Sequence, residues 1–146
     1  MGHNYDGLKL ENQLCFPLYA ASREVIKQYR PFLDELDITY TQYIAMMVFW
    51  EEKKITVKDL GKKLFLDSGT LTPVLKSLET KGFVKRYRST DDERILIVEI
   101  TEDGEALKEK AKDIPHKVAA CVKLDTKEAM QLYTLLYKVL GMGQKS

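Results

Sequence analysis

A mainly α-helical chain with one small β wing is the fold class that the sequence predicts, and three observations predict it. Apolar residues recur at steps of three and four through most of the 146 residues. Two short runs, Phe83–Arg88 and Ile95–Ile100, are rich in β-branched residues and flank the polar turn Ser89-Thr90-Asp91-Asp92-Glu93-Arg94. Gly numbers 8 and Pro only 4, which favours long regular elements over a loop-rich fold. The length suits a single domain, 1–146, able to bury roughly 70% of its unfolded surface without staples.

The first helix starts near Leu14. Leu14, Leu18, Ala21, Val25 and Tyr29 form one stripe, and Cys15, Tyr19, Ser22, Ile26 and Tyr29 form a second beside it. Two adjoining stripes are wider than one core contact requires, so this helix should be buried on two sides, by its own domain and by a partner copy. Pro17 predicts a kink, or a helix regular only after it, and Arg30-Pro31 reads as the stop. Thr39-Tyr40-Thr41-Gln42 is a capping box, and Tyr43–Trp50 follows it as a buried helix. Thr56-Val57-Lys58-Asp59 opens a short helix with Val57, Leu60 and Leu64 inward. Asp67-Ser68 caps the next, whose Leu71, Val74, Leu75 and Leu78 share a face, and Gly82 after Lys81 ends it. Past the two strands, Thr101 to about Leu124 reads as one helix with Leu107, Ala111, Ile114, Val118 and Cys121 on one face. Asp125-Thr126-Lys127-Glu128 caps a last helix bearing Ala129, Leu132, Leu136 and Leu140. Met1–Gly7 is expected to fray.

Composition limits the function classes. Apolar residues make up 45% and charged residues 31%, ordinary globular usage that excludes wholesale disorder. The longest apolar run, Tyr43–Trp50, is far short of the ~20 residues a membrane span needs, and no signal segment opens the chain. A cytoplasmic location follows as the expectation, with Cys15 and Cys121 kept reduced. His3 and His116 have no companions at metal-ligand spacing, and phosphate-binding loops and nucleophile elbows are absent, so no metal or cofactor is expected. Net charge is only +1, but residues 53–94 hold eleven basic against six acidic side chains. That middle is +5 and leaves −4 for the rest. A basic centre in an acidic frame suits a surface that meets a polyanion, although a solvated lysine-rich surface would look the same.

Helix, helix, hairpin in that order is a helix-turn-helix followed by a wing, with the DNA-binding part at about 53–100. Long helical segments at about 8–35 and 101–142 flank it and are expected to dimerise. Such a unit reads double-stranded DNA: its second helix fits a major groove about 12 Å wide. Ser68, Thr70 and Thr72 supply short hydroxyls, and Gly69 lets the backbone approach a phosphate. Lys76 lies one to two turns further on. Arg94, braced by Asp92 in the hairpin turn, can enter a minor groove. Pro73 in the helix and Arg88 at the end of the first strand complete the candidate DNA-contacting set. The bland alternative is a winged helix used for protein contacts, with an ordinary polar turn.

These residues resemble a known family. Asp67-Ser68-Gly69-Thr70-Leu71-Thr72-Pro73, Leu78-Glu79-x-Lys81-Gly82-Phe83-Val84-x-Arg86, Asp91-Asp92-Glu93-Arg94 and Ile100-Thr101-Glu102-Asp103-Gly104 look like the winged helix-turn-helix of the MarR regulators. Leu14-Cys15-Phe16-x-Leu18-Tyr19, Tyr29 and the segment from Leu66 to Pro73 narrow the likeness to the organic hydroperoxide resistance branch, over about Leu10 to Leu140. The resemblance implies a homodimeric repressor on a pseudo-palindromic operator, released when Cys15 is oxidised by an organic hydroperoxide or a related oxidant. It also implies that Tyr29 and Tyr40 reach Cys15 from the partner subunit. Pro17 departs from the aliphatic or small residue expected there.

The chemistry of Cys15 has its own logic. A thiol attacks peroxide as thiolate, so a sensor needs donors or positive charge to lower a pKa from about 8.5. Nothing basic lies one turn from Cys15, and Glu11 would act the wrong way. The candidate donors are phenols, with Tyr19 at the fourth position on. The alternative is a small buried hydrophobe. Cys121 stands where the resemblance puts a resolving cysteine in some members, yet it also completes an apolar stripe, and both readings stay open. A thiol peroxidase would share the sulfur chemistry without needing a basic winged helix. The closer rival is a MarR-type regulator released by a phenolic or other small ligand, with Cys15 inert. Eight tyrosines and one Trp make such a pocket credible.

Overall fold

The computed structural model describes residues 4–142, which divide into two units, Met1–Pro115 and His116–Ser146. Two 3₁₀ turns, Asp6–Leu8 and Leu10–Asn12, lead into α1 (Cys15–Asp34) and α2 (Tyr40–Glu52). A strand β1 (Lys54–Thr56), helices α3 (Val57–Leu64) and α4 (Ser68–Thr80), and strands β2 (Val84–Arg88) and β3 (Leu96–Ile100) follow. The chain closes with α5 (Glu102–Ala111), α6 (Ile114–Ala119) and α7 (Thr126–Val139). Among the described residues no helix is long and apolar enough to cross a membrane, and no cluster of His, Cys, Asp and Glu could hold a metal ion.

One local chemistry starts five of these helices. Thr39, Thr56, Asp67, Thr101 and Asp125 sit in extended backbone, and each side-chain oxygen accepts the amide N–H three residues on. That satisfies one of the orphan donors of a first turn and is worth about 1 kcal/mol per cap. Thr39 with Gln42 and Asp125 with Glu128 close full capping boxes.

The core of the first unit forms where α2, α3, α4 and the sheet meet. Met46, Phe49, Leu60, Leu71, Leu75, Leu78 and Val98 are fully buried there. Helix α2 passes through the middle, which explains why its sequence is apolar nearly all round. The strands form an antiparallel sheet in the order β1-β3-β2, with Ile55 and Arg86 opposite Val98 from either side. Gly104 shows how closely α5 lies on the wing. A Cβ there would fall on the Phe83 carbonyl oxygen, far inside contact, and 2.7 Å from Ile100 Cγ1. The Thr101 hydroxyl donates to the Gly82 carbonyl at 2.6 Å, and Trp50 Nε1 donates to the Gly104 carbonyl at 2.9 Å, tying α5 to the wing and to α2.

Several expectations are corrected. Helix α1 does not end at Arg30-Pro31 but runs through Pro31 to Asp34. Beyond the proline, Leu33 is only 2% exposed, and burying a leucine contributes about 1.5–3 kcal/mol, comparable to the cost of a helix proline. Nor does Pro17 delay the helix. It is the third residue of α1, in the first turn, where an amide N–H would have had no intrahelical partner. The helix expected from Thr101 to Leu124 is two helices. Pro115 cannot donate to the Ala111 carbonyl, and the chain turns at Lys112-Asp113 before restarting at Ile114. Of the segment expected to fray, residues 1–3 lie outside the described residues and Asp6–Leu8 is ordered as a 3₁₀ turn. The hairpin gains a third strand, β1.

Candidate functional site

Helices α3 and α4 make the predicted pair. Phe65 caps α3 in a left-handed conformation, φ 57°, and Gly61 packs so close to the turn that a Cβ would meet the Leu66 carbonyl oxygen at 2.7 Å. Leu71, Val74, Leu75 and Leu78 of α4 are buried, which turns Ser68, Gly69, Thr70, Thr72, Pro73 and Lys76 outward, all exposed. The pattern follows from the 3.6-residue period of a helix fixed by its apolar side. Asp67 Oδ1 accepts the Thr70 amide at 2.8 Å, and that bond holds the carboxyl below the usual carboxylate range. Thr72 donates its hydroxyl to the Ser68 carbonyl at 2.8 Å, leaving its lone pairs outward. At Gly69 a Cβ would meet only Asp67 Oδ1 at 3.5 Å, an ordinary contact. Nothing inside the chain requires a glycine at this exposed helix start.

The wing turn is built as expected around Asp92 and Arg94. Arg94 Nε and Nη2 donate to the two carboxylate oxygens of Asp92 at 3.0 and 3.1 Å, and the Arg94 amide adds a third bond at 3.0 Å. The guanidinium holds the Asp92 carboxyl below its ordinary value, and the carboxylate raises Arg94 in turn. The Arg94 side chain is 90% exposed, a fixed cation pointing at solvent. Arg88, at the end of β2, is also exposed.

Cys15 opens α1 and is exposed. It is therefore not the small buried hydrophobe that a free cysteine usually is, within this chain. Most of α1 shares that exposure. Among its large apolar residues Leu18, Tyr19, Val25 and Ile26 are uncovered, as is Leu14 just before it, and Leu33 is the buried one. Tyr19 is engaged elsewhere than at Cys15: its hydroxyl accepts from Arg23 Nη1 at 3.1 Å. The other two candidate phenols come together. The rings of Tyr29 and Tyr40 lie edge to face at 4.9 Å, and Tyr43 joins them at 5.7 and 6.2 Å. Burial raises the hydroxyls of Tyr29 and Tyr40, and that of Tyr43 is pushed up to about 12. All three phenols therefore stay protonated, as donors, across the physiological range.

Cys121 belongs to the second unit. Helix α6 ends at Ala119, so the helical period that would align Cys121 with Val118 is broken. The residue lies in the following turn, exposed, with its thiol donating to the Lys117 carbonyl at 3.6 Å. It is not the core residue that the apolar stripe suggested. Of the expected face, Leu132 in α7 and Leu140 at its C-terminal cap are exposed, together with Met130 and Leu135.

Sequence reasoning missed the connections behind these surfaces. Glu79 of α4 accepts from the Arg86 amide at 3.1 Å and from its Nη2 at 3.0 Å, clamping the helix to β2. The Arg86 side chain keeps the Glu79 carboxyl below its usual range. Both residues stand in the quoted motif, but their spacing of seven across a helix end and a strand carries no periodic signal. Gln42, read only as a cap, also reaches Ser77 on α4 at 2.9 Å.

Comparison with known proteins agrees with this arrangement. A family model described as transcriptional regulator SarA/Rot matches residues 27–111. The organic hydroperoxide resistance transcriptional regulator of Bacillus subtilis is 51% identical over 140 residues, covering 96% of this chain and 95% of that one. Among solved structures, reduced AbfR bound to DNA has a TM-score of 0.76 at 36% identity, covering 93% and 94% of the two chains. AbfR, from Staphylococcus epidermidis, has also been solved overoxidized on DNA and in a disulfide form. A cysteine-to-serine mutant of Escherichia coli MarR, complexed with operator DNA, gives 0.78 at 26% identity, covering 94% and 99%. With half its residues shared along nearly the full length of both chains, the protein belongs to the winged-helix MarR regulators, in the organic hydroperoxide resistance branch.

Proposed function

We propose that the chain acts as a homodimeric repressor that binds operator DNA through α4 and the wing and lets go when Cys15 is oxidised. The observation that carries the sensor half is the pairing of Tyr29 with Tyr40, 4.9 Å apart, alongside an exposed Cys15 at the start of α1. DNA binding is supported by the outward set Ser68, Gly69, Thr70, Thr72, Pro73 and Lys76, by Arg88, and by the braced Arg94. The DNA-bound states of AbfR and of MarR point the same way. Dimerisation through the segments at about 8–35 and 101–142 is supported by the apolar faces that α1 and α7 each leave uncovered, more than a lone subunit would expose.

In this reading the phenols of Tyr29 and Tyr40 come from the facing subunit and donate to the Cys15 thiolate. The thiolate attacks the outer oxygen of a hydroperoxide ROOH. An S–O bond forms, the O–O bond breaks, and a proton converts the alkoxide to ROH, leaving a sulfenic acid. The neutral, larger sulfur no longer accepts as the thiolate did, the phenols release, and the dimer settles in a shape that DNA does not favour. If the partner's Cys121 thiolate then attacks the sulfenic sulfur, hydroxide leaves as water and a disulfide forms, which needs a Cα–Cα approach below about 7 Å.

The test is peroxide-induced release from DNA of wild type against Cys15→Ser. The reading expects release from wild type and none from the variant. A variant that still responds would remove the thiol from the mechanism and leave a small-ligand regulator. Cys121→Ser distinguishes the two oxidised forms: no intersubunit crosslink on non-reducing gels and less complete release support the disulfide, whereas release like wild type supports the one-cysteine scheme.

A further inference from the structure

Gln42 is 6% exposed, a buried amide side chain next in sequence to the buried Tyr43. Its place at the third position of α2 needs only an oxygen for the cap, and Oε1 supplies it, accepting the Thr39 amide at 3.0 Å. The rest of the amide is spent on α4. Nε2 donates to Ser77 Oγ at 2.9 Å, and Oε1 also accepts from Lys81 Nζ at 3.3 Å. Lys81 in turn donates to the Asp37 carbonyl in the turn before Thr39. The donors and acceptors fix the amide's orientation, because a flipped Gln42 would aim its NH₂ at two other donors. On either side in sequence stand Tyr40 and Tyr43, two of the three phenols that pack with Tyr29.

We infer that Gln42 is the positioning residue that couples the phenol-bearing start of α2 to the recognition helix α4, an inference that rests on the proposed role of Cys15. A rotation of the first turn of α2 that moves Tyr40 also moves Gln42. Gln42 itself is buried, so Ser77 and Lys81 must either follow it or lose their bonds. If Ser77 follows, α4 shifts with it at the flank between its buried stripe and the residues offered to DNA, one turn from Pro73. A cap that served α2 alone would face solvent and would have no stake in α4.

The experiment measures DNA affinity of the full chain before and after treatment with cumene hydroperoxide. The probe is a labelled duplex selected from a random pool by the reduced wild-type protein. The readout is the ratio of oxidised to reduced Kd, with the melting temperature followed in parallel. Ser77→Ala removes the shorter of the two bonds from Gln42 to α4 and leaves the α2 cap intact, and it is expected to cut the ratio at least about fivefold. Gln42→Leu is expected to cut it as much and to melt lower. Gln42→Glu keeps one oxygen for Thr39 and Lys81 and a second to accept from the Ser77 hydroxyl, so its ratio is expected within about twofold of wild type. A merely structural role would shift melting and reduced-state affinity while leaving the ratio alone. A wild-type ratio in Ser77→Ala, or a Gln42→Glu ratio as low as that of Gln42→Leu, overturns the inference alone. Wild-type protein that peroxide does not release overturns the reading of Cys15 and this inference with it.

Discussion

Gly104→Ala places a methyl group where α5 touches the wing, and two effects of opposite sign compete. Alanine favours a helix over glycine by at most ~1 kcal/mol. Against that, the new Cβ would overlap the Phe83 carbonyl oxygen and stand 2.7 Å from Ile100 Cγ1. The first of these atoms is backbone, held by the Thr101 amide at 3.0 Å, and cannot swing aside. Overpacking of this kind costs ~1–3 kcal/mol. The shift of α5 that relieves it also lengthens the 2.9 Å bond from Trp50 Nε1 to the Gly104 carbonyl. An indole N–H left without that acceptor costs a further ~1–3 kcal/mol. The net expectation is a loss of about 3 kcal/mol, or roughly 6–12 °C in melting temperature for a chain of this size. Circular-dichroism melts of the reduced protein measure it, with Gly69→Ala as the control. At Gly69 the nearest atom is an ordinary 3.5 Å away, so stability should stay within ~1 kcal/mol while DNA affinity falls. A Gly104→Ala protein as stable as wild type would mean that helix propensity wins and that the close approach is not a constraint.

Arg94→Ala should weaken DNA binding by roughly 1–3 kcal/mol, read by anisotropy at fixed salt, while the melting temperature stays unchanged because the side chain is solvent-facing. Tyr29→Phe and Tyr40→Phe should each slow peroxide-induced release, by roughly 10–150-fold if each phenol contributes a charged hydrogen bond of ~1.5–3 kcal/mol to the reactive thiolate, with reduced-state DNA affinity nearly intact; equal rates in stopped-flow would remove the phenols from the mechanism. The Glu79 carboxyl is held down by Arg86, so its stabilising contribution is complete above the unfolded value near 4.5 and disappears as pH falls through the lower folded value. Urea melts from about pH 6 to about pH 3 should show an acid limb that Glu79→Gln flattens, modestly, because the pair is partly solvated and screened by salt.

Helix α4 was readable because three independent signals coincide on it: the Asp67 cap, the stripe Leu71, Val74, Leu75 and Leu78, and Gly82 with φ 85° at its end. Strand β1 was not, since Lys54-Ile55-Thr56 is too short for alternation to register and owes its pairing to β3, distant in sequence. The α5–α6 break and the passage of α1 through Pro31 are opposite errors about the same residue type. Pro31 reads as a stop but lies inside α1 with Leu33 buried beyond it, whereas Pro115 takes the second position of α6, where no intrahelical N–H bond is lost, and the helix breaks before it. The exposed half of α4 and the Asp92–Arg94 turn were legible because both are local. The meeting of Tyr29 with Tyr40 was not, because no periodicity relates residues on two helices across the Asp37 turn. Cys121 missed its stripe because a helix that ends two residues early changes which way the next side chain faces.

The Glu79–Arg86 clamp joins the helix offered to one groove and the strand that leads to the wing tip through a single carboxylate. The two therefore behave as a ruler of fixed length rather than as two jointed fingers. In the proposed complex such a ruler measures the span between a major-groove sequence and the minor groove flanking it. A duplex with the right letters but an altered twist between them gains nothing from adjustment of the protein. In that complex dissociation would inherit the same stiffness, with a tilt of α4 out of its groove carrying Arg94 out as well.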